Sequence, residues 1–251
     1  MTATQPDYNR CKRFFPLDEA VGNNRVCLIS GKQLVPVGVD TNQAGICGYT
    51  YCYDSTHASP AYLEELVINE NSPTAFVRGW DIPNGLTMCV WLQRKSTSDG
   101  YVWYDSSGYE GLKWTNAWLI AFSSKKAQWT TGAGYSYNYH TLAASVDSTL
   151  NGWDHFTFSY NAITKAKNIW INGVNRGSAT ATHLSNHLQR EAATRKATIG
   201  NINGGTTRGY WHQQLLIYSY PLNITEATWL YNGGTGRTTG EIQASKWSIN
   251  V

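Results

Sequence analysis

Alternating apolar and polar positions run through most of this chain and predict strands. In residues 152–176, Phe156, Phe158 and Tyr160 alternate with polar neighbours, as in a strand with one buried face. Asn168-Ile-Trp-Ile resumes the pattern, which breaks at Asn172-Gly173. That dipeptide suits a type I′ hairpin turn, because both of its central positions need positive φ. Leu86, Met88, Val90 and Leu92 share one face of a further run, with Cys89 and Trp91 on the other, so a central strand is expected there. Residues 13–17 read as a first strand entering a turn, and 61–68, 99–111, 117–122, 127–130 and 197–200 as further strands. Residues 132–140 read as a loop or edge strand, and the Gly- and Tyr-rich residues 35–56 as irregular. Helix is expected at 224–231, with another turn or two in 183–194. Short strands at this spacing predict an all-β fold, a two-sheet antiparallel β-sandwich with one or two short helices.

The order of the parts carries more information than any one of them. Gly152-Trp-Asp-His-Phe-Thr-Phe-Ser-Tyr and the Asn-Gly hairpin precede Ala197-Thr-Ile-Gly and a Gly-rich loop. Gly209-Tyr-Trp-His-Gln-Gln-Leu-Leu-Ile-Tyr, Pro221-Leu-Asn-Ile-Thr-Glu and Leu230-Tyr-Asn-Gly-Gly follow. This succession resembles a laminin-G-like domain of the concanavalin A-like lectin/glucanase superfamily, over residues 13–237. The resemblance implies a jelly-roll sandwich that presents surfaces to glycans or proteins. With no repeat and no linker, residues 1–237 read as one domain and 238–251 as a C-terminal tail, a candidate docking segment.

Composition narrows the partners. Only 15% of residues are charged, so the surface is rich in Ser, Thr, Asn, Gln and Gly. A net charge of +3 without a Lys/Arg run argues against a nucleic-acid partner. No apolar run reaches membrane-spanning length, so membrane insertion is not expected. The start, Met1-Thr-Ala-Thr-Gln-Pro-Asp, has no apolar segment of a signal peptide, which sets an expectation of synthesis in the cytoplasm. Cys11, Cys27, Cys47, Cys52 and Cys89 have neither redox nor metal-knuckle spacing and read as free, buried thiols.

Family-16 glycoside hydrolases share the superfamily fold and set alternating carboxylates on one strand, Glu-x-Asp-x-(x)-Glu. Here Glu64, Glu65 and Glu70 lack the intervening Asp, and Asp105 and Glu110 straddle a Gly-rich turn. The six histidines lack a Gly-x-Ser-x-Gly elbow, although convergence of a Ser/His/Asp set from distant positions stays open. His183 and His187 read as a surface pair and His155 as structural. Pentraxin- and laminin-type relatives often hold calcium at loop carboxylates, but residues 201–208 contain none, so a paired calcium site is not supported and no cofactor is expected. Asp105, Asp147 and Asp154 read as turn-formers or caps.

Aromatics, with 11 Trp and 16 Tyr, supply the remaining signal. Such rings stack on the apolar faces of sugars while neighbouring amides take the hydroxyls. Trp103, Tyr104, Trp114, Tyr135, Tyr137 and Tyr139 form the candidate glycan- or protein-binding face. For the Tyr135–Tyr139 stripe, interface, glycan contact and edge packing are equally consistent. Trp91, Phe122, Trp153, Trp170 and Trp229 read as packing residues. The resulting expectation is a non-catalytic structural or adhesion module: a bacteriophage virion component (capsid decoration, head-fibre or tail-associated) in an oligomeric assembly with other virion or surface proteins. Host glycans would be a further ligand. A free bacterial lectin at the cell surface is the alternative, and a glycoside hydrolase with a non-standard site a third.

Overall fold

The computed structural model describes residues 2–56, 61–65, 84–95, 100–106, 118–123, 126–132, 139–146, 151–181, 196–201 and 210–244. The first six strands are Cys11–Phe15 (β1), Arg25–Val26 (β2), Gln33–Gly38 (β3), Thr41–Ala44 (β4), Tyr51–Asp54 (β5) and Ala61–Glu65 (β6). Gly85–Arg94 (β7), Gly100–Ser106 (β8), Trp118–Ser123 (β9), Lys126–Gly132 (β10) and Tyr139–Ser145 (β11) follow. Trp153–Asn161 (β12), Ala166–Ile171 (β13), Val174–Thr180 (β14), Lys196–Asn201 (β15) and Tyr210–Tyr218 (β16) complete the strands. Two helices, Ile224–Tyr231 (α1) and Thr239–Ala244 (α2), end the described chain.

All pairings are antiparallel, and they build two sheets. The first runs β14-β13-β12-β7-β16-β5-β4, with β1 also on β16. The second runs β11-β10-β9-β8-β15-β6-β3-β2. The predicted two-sheet sandwich is therefore present. Between the sheets Phe156, Phe158, Tyr160, Met88, Val90, Leu92, Leu215 and Ile217 meet Leu34, Leu63, Trp129, Leu142 and Ile199. At the predicted turn Asn172 and Gly173 have φ of 54° and 72°, both positive as the type I′ hairpin requires. The Asn172 side chain also accepts a bond from the His155 backbone and donates to Asp154 Oδ1.

The expected single buried face of β12 is in fact two. Cys89, Trp170, Leu216 and Tyr218 on the outer face of the first sheet pack under Leu222, Ala227, Leu230 and Ile242 of the C-terminal segment, with Tyr8 and Phe14 beside them. The polar phase of the alternation finds partners there: Thr87 Oγ1 donates to the Tyr220 carbonyl and accepts from Leu222 N–H, and Ser159 Oγ donates to the Leu222 carbonyl. Those bonds seat the chain before α1 on the sheet and pair the Thr87 and Ser159 hydroxyls. Asn223 then starts α1 with a full capping box, its Oδ1 taking Thr225 and Glu226 N–H while Glu226 Oε2 accepts from Asn223 N–H. Ile242 of α2 joins this second core, so part of the 238–251 tail packs on the domain.

Residues 35–56 are not irregular but supply β4, β5 and most of β3. Thr41, Asn42 and Gln43 of β4 lack apolar alternation because β4 is the sheet's edge and is held by side-chain bonds instead. Asn42 Oδ1 accepts from Arg25, which also grips Asp40 through both Nη groups at 2.7 and 3.1 Å. The short helical piece expected in 183–194 and residues 66–68 of the expected strand lie outside the described residues.

Candidate functional site

Strand register puts one row of side chains across five strands on the outer face of the first sheet. Trp153 of β12 lies opposite Gln93 of β7, Gln93 opposite Trp211 of β16, Trp211 opposite Asp54 of β5, and Asp54 opposite Thr41 of β4. Directly opposed residues share a face, so this is a continuous row. Trp153 and Trp211 lean together over Gln93, with ring centroids 6.4 Å apart at 53°. Both rings are half-buried, whereas Gln93 beneath them is 7% exposed. Lys95, two residues beyond Gln93 and therefore in the same phase, sets its ammonium 3.6 Å from the Trp211 ring centroid and 2.9 Å from Gln93 Oε1. Gln93 Nε2 reaches the Asn151 carbonyl at 2.7 Å, fixing the amide between the rings.

The neighbouring row is sealed. Gln213 lies opposite Trp91 and Trp91 opposite His155, all three 1% exposed or less. Tyr231 at the end of α1 stacks on Trp91 with centroids 5.9 Å apart, and His155 tilts against the other ring contact at 5.1 Å. Gly236 (φ 66°) brings its backbone so close that a Cβ there would meet Trp91 Nε1 at 3.2 Å and Cys47 Sγ at 2.1 Å. Neither His155 ring nitrogen has a hydrogen-bond partner among the described residues, and burial pushes the imidazole down to about 3. The residue is structural, as expected.

Several other chemistry-bearing groups among the described residues are enclosed. Ser55 Oγ and His212 Nε2 are 2.9 Å apart, and burial lowers His212 to about 3. Both residues are fully buried between the sheets. Ser55 Oγ is also engaged with the Tyr210 carbonyl and N–H, and among the described residues His212 Nδ1 has no hydrogen-bond partner and no carboxylate orients the imidazole. Lys167, buried by desolvating neighbours that lower it to about 7, donates to the Trp129 carbonyl at 2.8 Å. Asp154 receives Asn172 Nδ2 and serves the hairpin. Among the described residues no three His, Cys, Asp or Glu converge as a metal site would need, and Asp147 lies outside them. All five cysteines are free, four of them buried, with Cys47 half-buried. Burial raises Cys47, Cys52 and Cys89 to about 12.

The profile of a laminin G family, described as the concanavalin A-like lectin/glucanases superfamily, matches residues 71–228, more than half of the sequence. The chain belongs to this superfamily. No curated protein matches it. Among solved structures, the receptor-binding domain of botulinum neurotoxin C/D mosaic serotype aligns at 14% identity and TM-score 0.66, covering 90% of this chain and 52% of that one. The botulinum neurotoxin DC binding domain in complex with SialylT aligns at 13% identity and TM-score 0.66, covering 90% and 52%. The same domain in complex with rat synaptotagmin II aligns at 12% identity and TM-score 0.65, again covering 90% and 52%. The chain thus spans about half the length of these structures, and at such identity the likeness establishes the superfamily fold.

Within that fold, three of the residues singled out from the sequence, Trp103, Tyr104 and Tyr139, fall on strands of the second sheet. Trp103 and Tyr104 are consecutive on β8, opposite Ile199 and Thr198 of β15. Tyr139 begins β11, opposite Gly132. Strands β9 and β10 separate β8 from β11, three strand spacings or about 14 Å. The side chains of Trp103, Tyr104 and Tyr139, like Phe122, and the whole of Trp114, Tyr135 and Tyr137, lie outside the described residues. Of the assigned packing residues, Trp91 and Trp170 are buried; Trp229 is half-buried with Arg237 over its ring at 4.4 Å. Trp153 is the difference: read as packing, it forms half of the open pair with Trp211. Its phase was the available signal, because Trp153 alternates out of step with Phe156, Phe158 and Tyr160.

Proposed function

We propose that the protein is a non-catalytic recognition module that binds saccharides at the open Trp153–Gln93–Trp211 row. The observation that carries this reading is the pair of half-buried indoles held over a buried amide, with a cation and carboxylate in the same row. A pyranose presents an apolar face to such rings and hydroxyls to the flanking polar groups. Enclosure of Ser55 and His212 supports a binding rather than a hydrolytic role, since a nucleophile needs a path to substrate. Structural neighbours include a toxin binding domain in complex with SialylT, which is consistent with a glycan-presenting use of this fold.

The test is a glycan array with wild type, Trp153→Ala and Trp211→Ala, with circular dichroism to confirm folding. Binding by wild type and its loss in both variants is expected; retained binding in both would overturn the assignment to this row. Trp103, Tyr104, Trp114, Tyr135, Tyr137 and Tyr139 remain the rival surface, and loss of binding in Trp103→Ala and Tyr137→Ala alone would favour it.

The five unpaired thiols support folding in a reducing compartment. They fit a role as a bacteriophage virion component, a capsid decoration, head-fibre or tail-associated protein, that also adheres to host glycans. Mass measurement of native material would find a large stoichiometric complex; a free monomer would favour the bacterial lectin reading.

A further inference from the structure

We infer that the saccharide bound at the Trp153–Trp211 row carries a negatively charged substituent, a carboxylate or a sulfate, and that Lys95 reads it. This rests on the proposal that the row is a saccharide site, and it follows from which hydrogen-bonding groups of the row are already taken.

Acceptors are occupied. Asp54 Oδ1 accepts from Thr56 N–H at 2.9 Å and Thr56 Oγ1 at 2.6 Å, and Oδ2 accepts from Gln43 Nε2 at 3.0 Å. Gln93 is spent on both ends, donating to the Asn151 carbonyl and accepting from Lys95. What remains is donors. An ammonium has three N–H groups, and Lys95 uses one of them on Gln93. Among the described residues Lys95 touches no carboxylate, and its charge is met only by the Trp211 π-face and one amide oxygen.

The same placement penalises a neutral ligand. Lys95 lies on the Trp211 face that a stacking sugar would use, so a neutral ring must move the ammonium aside and lose the cation–π contact. An anionic substituent draws the ammonium with it and replaces that contact by a charge-assisted hydrogen bond, roughly twice as strong as a neutral one. Ordinary hydroxyls offer no such exchange. Lys95 is therefore a specificity-determining residue, and the indoles supply the affinity common to all sugars.

The experiment is a calorimetric titration of a uronate-containing oligosaccharide, its carboxyl-reduced counterpart and a sulfated counterpart against wild type, Lys95→Gln and Lys95→Met. We expect wild type to bind at least one acidic form about tenfold more tightly than the neutral form at low salt, with the advantage shrinking near 0.5 M salt. The uronate and sulfate arms identify which anion is read. Both Lys95 variants should bind acidic and neutral forms alike. Equal wild-type affinity for all three, with binding still dependent on Trp211, would overturn the inference and leave the saccharide site standing. An acidic preference that survives Lys95→Gln would overturn the role of Lys95. Binding of none of them, on an otherwise active array, would sink the inference too, while loss of Trp211 dependence would strike the site itself.

Discussion

Two adjacent rows of one sheet face have opposite fates. His155, Trp91 and Gln213 are sealed beneath Tyr231 and the Gly236 segment, whereas Trp153 and Trp211 on the same strands, over the buried Gln93, are only half-buried. Both rows set tryptophan beside a polar side chain, so composition does not separate them. Among the described residues, the C-terminal segment covers one row and not the next. A sheet face is thus divided into core and candidate site by what lies on it.

The largest break in this comparison should come from truncating the two rows in turn. Trp91→Ala should cost about 3–5 kcal/mol of folding stability, the range for emptying a large core site. Trp211→Ala, half-exposed, should cost about 1 kcal/mol and remove binding instead. Urea unfolding of both variants checks the contrast; equal losses would mean that the open row is also core.

Acid sharpens the same contrast. His155 in the sealed row is held at about 3 by burial, below its ordinary 6.5. The unfolded chain therefore binds the extra proton between pH 6.5 and 3, and stability present above pH 6.5 is lost as pH falls through that window. By pH 4.5 the loss is about 2–3 kcal/mol for this imidazole, and His212, also at about 3, adds a similar slope. Unfolding free energy measured against pH should flatten measurably in His155→Gln; an unchanged slope would deny the buried neutral ring.

A smaller effect is expected at the lid itself. Gly236→Ala places a Cβ against Cys47 Sγ and Trp91 Nε1 at a positive φ, and about 2 kcal/mol should be lost. Thermal melts would report it. Sugar binding at the open row should persist, because Gly236 covers only the sealed one.

Local rules foretold much of this architecture. Asn172-Gly173 gave away its hairpin through backbone sterics alone, and residues 224–231 form α1 as expected. The two apolar faces of residues 86–92 correctly marked a central strand, since β7 sits between β12 and β16 and is buried throughout. Strand β4 escaped notice because Thr41, Asn42 and Gln43 are held by Arg25 and Asp54 rather than by apolar packing. The site escaped for a different reason. Alternation told the phase of Trp153, but not that Trp211 would come into register with it across Gln93, nor which row residues 231–236 would cover. Those are properties of long-range pairing, which a local period does not encode.

Tryptophan oxidation mapped by mass spectrometry, with and without a bound acidic oligosaccharide, tests the central claim most directly. The account predicts that Trp153 and Trp211 react in the free protein and are protected by the ligand, while Trp91 resists in both states. Protection at Trp103 or Trp114 with Trp153 and Trp211 still reactive would contradict it and move the recognition surface to the other sheet.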